Sequence, residues 1–293
     1  MNFPGDMNFP KETRNLDGWS SVVLVSSALL DNTNAGVAAS QVNVRIDDTK
    51  IAGTGTFEQP NPRVTLDPAD LARCIKRHGV IMSRPAQVLV TDSRFDDNCG
   101  MAMSLFEGTS PKGAPRWVIG SSMRRNALGG LLLHSREDGN GAKTSFSRVL
   151  DSNFISNGAF GIAFYNSNGE VRGTNLLLTE KERLSTSDAK EYACGLAAEG
   201  SDELVIEDSV LLGNVAWSMV LKKSNVTLRG RNEWPGAQGQ LDATDLVSDD
   251  ETTVDGADTA GLRLELADDS VNDLPSNGIG SDGTGVFDDS IFE

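Results

Sequence analysis

Between Leu24 and Leu221, apolar positions recur in a fixed order with hydroxyl residues and asparagines. The pattern is clearest around Asn157, with Val149 at −8, Ser152 at −5, Phe154 at −3, Gly161 at +4, and Ile162 and Phe164 at +5 and +7. The same slots are filled around Asn98 by Val90, Ser93, Phe95, Ala102, Met103 and Leu105, and around Asn126 by Val118, Ser121, Met123, Gly130, Leu131 and Leu133. Asn214 carries Ile206, Ser209, Leu211, Ser218, Met219 and Leu221, and Asn32 carries Leu24, Ser27, Leu29, Gly36, Val37 and Ala39. In two further copies Thr54 and Thr179 replace the Asn, and the second half is displaced to Gly79, Val80 and Met82 or to Gly195, Leu196 and Ala198. Spacings between the seven positions are 22, 44, 28, 31, 22 and 35 residues.

Residues two apart share one face of a strand. A short, irregularly expanded repeat without helical periodicity excludes a helical array. The pattern therefore predicts strand-turn-strand coils that cannot bury their apolar faces alone and do so by stacking. Ser or Thr at −5 in every copy predicts a small inward residue stacked on its neighbours. A recurrent Asn at a corner predicts a hydrogen-bonded ladder that satisfies buried turn backbone.

In Asp151-Ser152-Asn153-Phe154-Ile155-Ser156-Asn157 and Gly161-Ile162-Ala163-Phe164, the chain resembles the right-handed parallel β-helix repeat (pectate-lyase-like) family, over roughly residues 18–234. The expected fold is all-β, a right-handed parallel β-helix (solenoid) of about seven to eight coils. A short helix is expected in one inserted loop, with Asp67 as N-cap, Pro68 at N1, and Leu71 and Ile75 on one face. Residues 1–17 read as an N-terminal extension or cap, 18–234 as the β-helix, and 235–293 as an acidic, partly disordered C-terminal tail. Family members include polysaccharide lyases, hydrolases and epimerases, phage tailspikes and surface adhesins, so the resemblance implies a fold and leaves the activity open.

Insertions at 55–78 and 180–194 follow the Asn position and bracket Met101, Leu128 and Phe160, apolar residues at a corner; the two loops are expected to fold over them, the alternative being that they wall a groove. Insertions at about 106–115 and 135–145 follow the +7 position and flank an outward row at +8: Phe106, His134, Tyr165, Glu199 and Lys222. Aromatic faces stack on sugar rings, and His134, Tyr165 and Glu199 are the candidate acid–base residues. Phe106, Arg136 and Lys222 are the candidate substrate-binding residues, with Arg136 placed to neutralise a uronate carboxylate. His and Tyr serve this role in some β-helix enzymes acting on uronates, and the row looks like such a site. The bland reading is a surface strand row in which Glu199 and Lys222 form an ion pair.

A second row at −6 runs Ser26, Asp48, Asp92, Gly120, Asp151, Gly173 and Asp208, and its paired carboxylates suggest calcium binding or acid–base chemistry. It lacks the acidic and basic set of the polygalacturonases; Arg77-His78-Gly79 matches only in part. No cofactor is expected. Calcium is the one ion weighed, here and at 282–289, where the alternating carboxylate spacing of a calcium loop is missing.

Forty-two acidic against 26 basic residues give a net charge of −16, which argues against nucleic acid and anionic membrane surfaces as partners. No apolar run is long enough for a transmembrane helix. Two His exclude a multi-histidine metal site, and Cys74, Cys99 and Cys194 are too few and too far apart for a disulfide framework, leaving Cys99 as a small turn or core residue. The functional expectation is an extracellular or cell-surface protein that binds a polysaccharide or cell-surface glycan, with no complete catalytic set. A lyase-, epimerase- or hydrolase-like enzyme using the His/Tyr/Glu row is one alternative; a structural or adhesin-like spacer is another. Because open coil edges need covering, an oligomer or a larger assembly is also expected.

Overall fold

The computed structural model describes residues 20–55, 74, 77–85, 87–106, 116–135, 146–179, 194–214 and 217–233, and the strands Thr244–Ser248, Thr253–Gly256 and Leu264–Leu266. Seven successive coils each deliver one strand to each of three parallel sheets, and sheets A and C continue for two further strands. Sheet A stacks Ser21–Val25, Asn43–Asp47, Val88–Thr91, Arg116–Ile119, Phe146–Leu150, Asn168–Arg172, Leu204–Glu207, Asn225–Arg229 and Thr253–Gly256. Sheet B stacks Ala28–Leu30, Lys50–Ala52, Arg94–Asp96, Ser122–Arg124, Asn153–Ile155, Asn175–Leu177 and Val210–Leu212. Sheet C stacks Val37–Ser40, Val80–Ser83, Met101–Phe106, Gly129–His134, Phe160–Tyr165, Cys194–Glu199, Trp217–Lys222, Thr244–Ser248 and Leu264–Leu266. The architecture is that of a parallel β-solenoid. Its stacking continues beyond Trp234, where the repeat stops being readable in the sequence. The predicted inserted helix lies outside the described residues, apart from Cys74.

Register explains why the irregular spacings do no harm. Val90, Val118, Val149, Val171, Ile206 and Leu228 pair one on the next in sheet A, so inserted residues leave the coil by its corners without shifting the strands. A slip of one residue would turn this whole row outward. The inward rows of all three sheets merge into one continuous core, in which Phe95, Phe154, Phe164, Met103 and Leu131 are almost completely buried.

Each corner begins with a residue in the left-handed region. Asp48, Asp92, Asp151 and Asp208 have φ of 45°, 48°, 49° and 47°, and Gly120 and Gly173 have 60° and 59°. Asp and Gly are among the residues that tolerate this conformation. Their alternation follows from packing, because a Cβ on Gly120 or Gly173 would collide with the carboxylate of Asp92 or Asp151 in the preceding coil. The −6 row is therefore a line of turn-forming residues, and Asp48 accepts a hydrogen bond from Ser26 Oγ at 2.9 Å. At the next corner, Asp97 and Arg125 occupy the same left-handed slot in adjacent coils and form a bidentate pair at 2.7 Å.

After each left-handed residue comes a ladder. The N–H of Thr49, Ser93, Ser121 and Thr174 donates to the hydroxyl of Ser93, Ser121, Ser152 and Ser209 in the next coil, at 3.1, 3.2, 3.2 and 3.3 Å. Each hydroxyl donates back to the carbonyl two residues earlier, as Ser93 does to Thr91 (2.7 Å) and Ser152 to Leu150 (2.8 Å). The asparagine ladder is similar: Asn98 N–H and Nδ2 donate to Asn126 Oδ1, and Asn126 N–H and Nδ2 donate to Asn157 Oδ1. Asn126 Nδ2 also reaches Phe95 O, and Asn157 Nδ2 reaches Met123 O.

Replacing Asn157 by Ala leaves the Asn126 donors without their acceptor inside the solenoid. The expected cost is roughly 2–4 kcal/mol, from two orphaned buried donors. Urea denaturation should show a lowered midpoint with an unchanged slope; a loss below about 0.5 kcal/mol would mean the ladder is dispensable.

Candidate functional site

Sheet C differs from the other two because its middle strands, from Val80–Ser83 to Cys194–Glu199, are buried on both faces. Its inner side chains join the core, while Ile81, Leu132, Phe160, Ala163, Ala197 and Val220 form a second apolar cluster on the outer side. Met101, Leu128 and Phe160 are 9%, 7% and 3% exposed, as expected if the corner they occupy is covered.

The structure brings the +8 residues together on the edge of this face. His134 pairs in register with Tyr165, Tyr165 with Glu199, and Glu199 with Lys222. The His134 ring centroid lies 6.2 Å from that of Phe106 and 5.0 Å from that of Tyr165. Lys222 Nζ is 3.6 Å from Glu199 Oε1. The row changes character along its length: Phe106 and His134 are buried, whereas Tyr165, Glu199 and Lys222 are only partly covered. Arg136 lies outside the described residues.

This arrangement limits the chemistry. Tyr165 stands between His134 and Glu199, which puts two strand spacings, roughly 10 Å, between the imidazole and carboxylate columns. The Glu199 carboxylate already has a cationic partner. The exposed part of the row is thus an aromatic ring beside an ion pair, a surface suited to stacking and hydrogen bonding.

Three features were not anticipated from the sequence. The first corrects the reading of the cysteines: Cys74 and Cys99, 25 residues apart, form a disulfide with Cα atoms 4.9 Å apart. The chain returns to the corner just where Gly100 leaves room, since a Cβ there would meet the carbonyl oxygens of Cys74 and Arg77. Arg77 O accepts the Gly100 N–H (2.8 Å), and His78 Nδ1 accepts the Met101 N–H (3.2 Å). One signal was present, because Cys74 follows Leu71 by three residues and so shares the face of the expected helix that carries Leu71 and Ile75. Cys194 stays a buried free thiol in the outer cluster, and burial pushes its pKa far up, which favours the thiol over the thiolate.

The second feature is a third ladder, of Ser135, Ser167, Ser201 and Ser224, at the corner leading from sheet C to sheet A. Its signal was a Ser one or two residues past each +8 position from His134 onward. The third is a cation–π cluster on the outer face of sheet A, where the Arg148 guanidinium lies 5.7 Å from the ring centres of both Trp117 and Phe146.

Comparison with protein-family models, with curated proteins and with solved structures yields no match.

The disulfide predicts a definite contribution to stability. Closing a loop of this length corresponds to about 3 kcal/mol in the chain-entropy model. Cys74→Ser and Cys99→Ser should each lower the melting temperature by a similar amount, and the double variant by no more than either single one; additive losses would show that the two sulfurs act independently.

Proposed function

We propose that this chain is an extracellular, right-handed β-helix that binds a polysaccharide or cell-surface glycan without turning it over. Its contact surface is the part of the +8 row formed by Tyr165, Glu199 and Lys222. The observation that carries this reading is the in-register placement of a partly exposed Tyr165 ring beside the Glu199–Lys222 pair. The ring offers a stacking face for a pyranose, and the two charged groups offer an acceptor and a donor to its hydroxyls. The burial of His134 between two rings and the pairing of Glu199 favour binding over acid–base catalysis. An extracellular setting is supported by the Cys74–Cys99 disulfide, since such bonds persist mainly in oxidising compartments.

A structural spacer is the second reading. It is favoured by the closure of the outer face of sheet C around Phe106, Leu132 and Ala163.

Affinity electrophoresis against neutral and acidic polysaccharides, with product formation followed in parallel, separates the possibilities. The binding reading predicts retardation on at least one polymer, weakened tenfold or more in Tyr165→Ala, with no product. Product formation lost in His134→Ala would establish the enzyme instead. A folded protein retarded by none of the polymers would leave the spacer.

A further inference from the structure

The interior row of sheet A begins and ends with apolar residues. From one coil to the next it runs Val44, Val88, Arg116, Ser147, Gly169, Leu204 and Val226, each paired with the one before. Arg116 thus points the same way as Val118, into the solenoid, and is only 1% exposed. Its Nε, Nη1 and Nη2 are all sealed from solvent, and among the described residues none accepts a hydrogen bond from them. The Ser147 hydroxyl, stacked directly on it, is equally sealed and unpartnered.

A guanidinium cannot escape this situation by losing its proton. Burial lowers the Arg116 pKa only to about 10, so the group remains a cation at neutral pH. An uncompensated buried charge costs several kcal/mol, and a fork of donors with no acceptor adds to that cost. Such a group calls for an anion.

We propose that Arg116 and Ser147 form a buried site for the carboxylate group of a small monoanion. One cation neutralises one negative charge, whereas a dianion would leave a charge unpaired in the core. The planar fork of the guanidinium matches the two oxygens of a carboxylate, and the Ser147 hydroxyl supplies a further donor from the next coil. A second hydroxyl, that of Ser135, is fully buried at the corner that leads into the strand of Ser147, where the serine ladder begins, and donates to Ser167 Oγ at 3.3 Å. Because these atoms are sealed, the anion enters as the coils assemble around it. The site stands apart from the glycan reading, since it lies on the inner face of sheet A and the +8 row on the outer edge of sheet C.

The test is to unfold the full-length chain and refold it in sodium acetate or in sodium chloride at equal ionic strength, then measure the melting temperature and the number of retained ¹³C-acetate ions after desalting. The wild type should melt roughly 5 °C or more higher after refolding in acetate, and should retain one acetate per chain. Arg116→Met, which keeps the apolar stem and removes the charge, should fold, retain no acetate and melt at the same temperature in both salts; Ser147→Ala should show a reduced difference. Equal melting of the wild type in both salts, or an equal shift in Arg116→Met, would overturn the proposal. So would an Arg116→Met protein that still retains one acetate per chain.

Discussion

Every coil must turn at its corners, and each turn leaves a backbone N–H facing the interior, where water cannot reach it. The structure depends on how these groups are satisfied. A strand pairs with its neighbours along its length, but a corner has no strand pairing to offer, and an unpaired buried N–H is costly. The chain solves this by following most left-handed turn residues with a short side chain, whose oxygen typically accepts the N–H of the neighbouring coil. Ser and Thr do this at the corner between sheets A and B, Asn at the corner between B and C, where Thr54 and Thr179 only donate their N–H to it, and Ser at the corner between C and A. The ladders hold the strands in register, and the register in turn keeps the apolar rows facing inward.

Insertions are the freedom this scheme allows. A coil can lose its chain at a corner and regain it many residues later, provided that the next strand lands in register. The segment around Cys74 returns to Gly100, where a glycine, hydrogen bonds to the Arg77 carbonyl and the His78 imidazole, and a disulfide fasten it. The middle strands of sheet C become buried on both faces, and the partly exposed Tyr165, Glu199 and Lys222 mark where that cover thins. At the start of the sheet A strands, the same arrangement leaves Arg116 and Ser147 inside a row otherwise built of Val, Leu and one Gly.

Much of this was legible in the residues themselves. The strand rows were readable because side-chain period and coil stacking make one pattern, as in Val149, Phe154, Ile162 and Phe164. Ser152 and Asn157 were readable as ladder members because few other residues combine small size with an acceptor oxygen. The Asp row was visible, but its meaning was not: Asp48, Asp92 and Asp151 resemble a binding row until φ shows each to be a left-handed turn. The +8 residues were placed correctly on one edge. Their burial was not predictable, because it depends on what covers Phe106 and His134 rather than on spacing. Cys74 and Cys99 could not be paired from sequence, since nothing in the number of intervening residues says where an insertion returns. Arg116 broke the apolar pattern at a single position, a signal too local to read without the register around it.

Amide hydrogen exchange on the native protein tests the central claim most directly. The account predicts that the corner amides of Ser93, Ser121, Asn98 and Asn126 exchange as slowly as the strand amides of Val118 and Val149, because both are closed by the same cooperative stack. Corner amides that exchange orders of magnitude faster than the strands between them would contradict it, since the turns would then be open to water and something other than the ladders would be holding the coils in register.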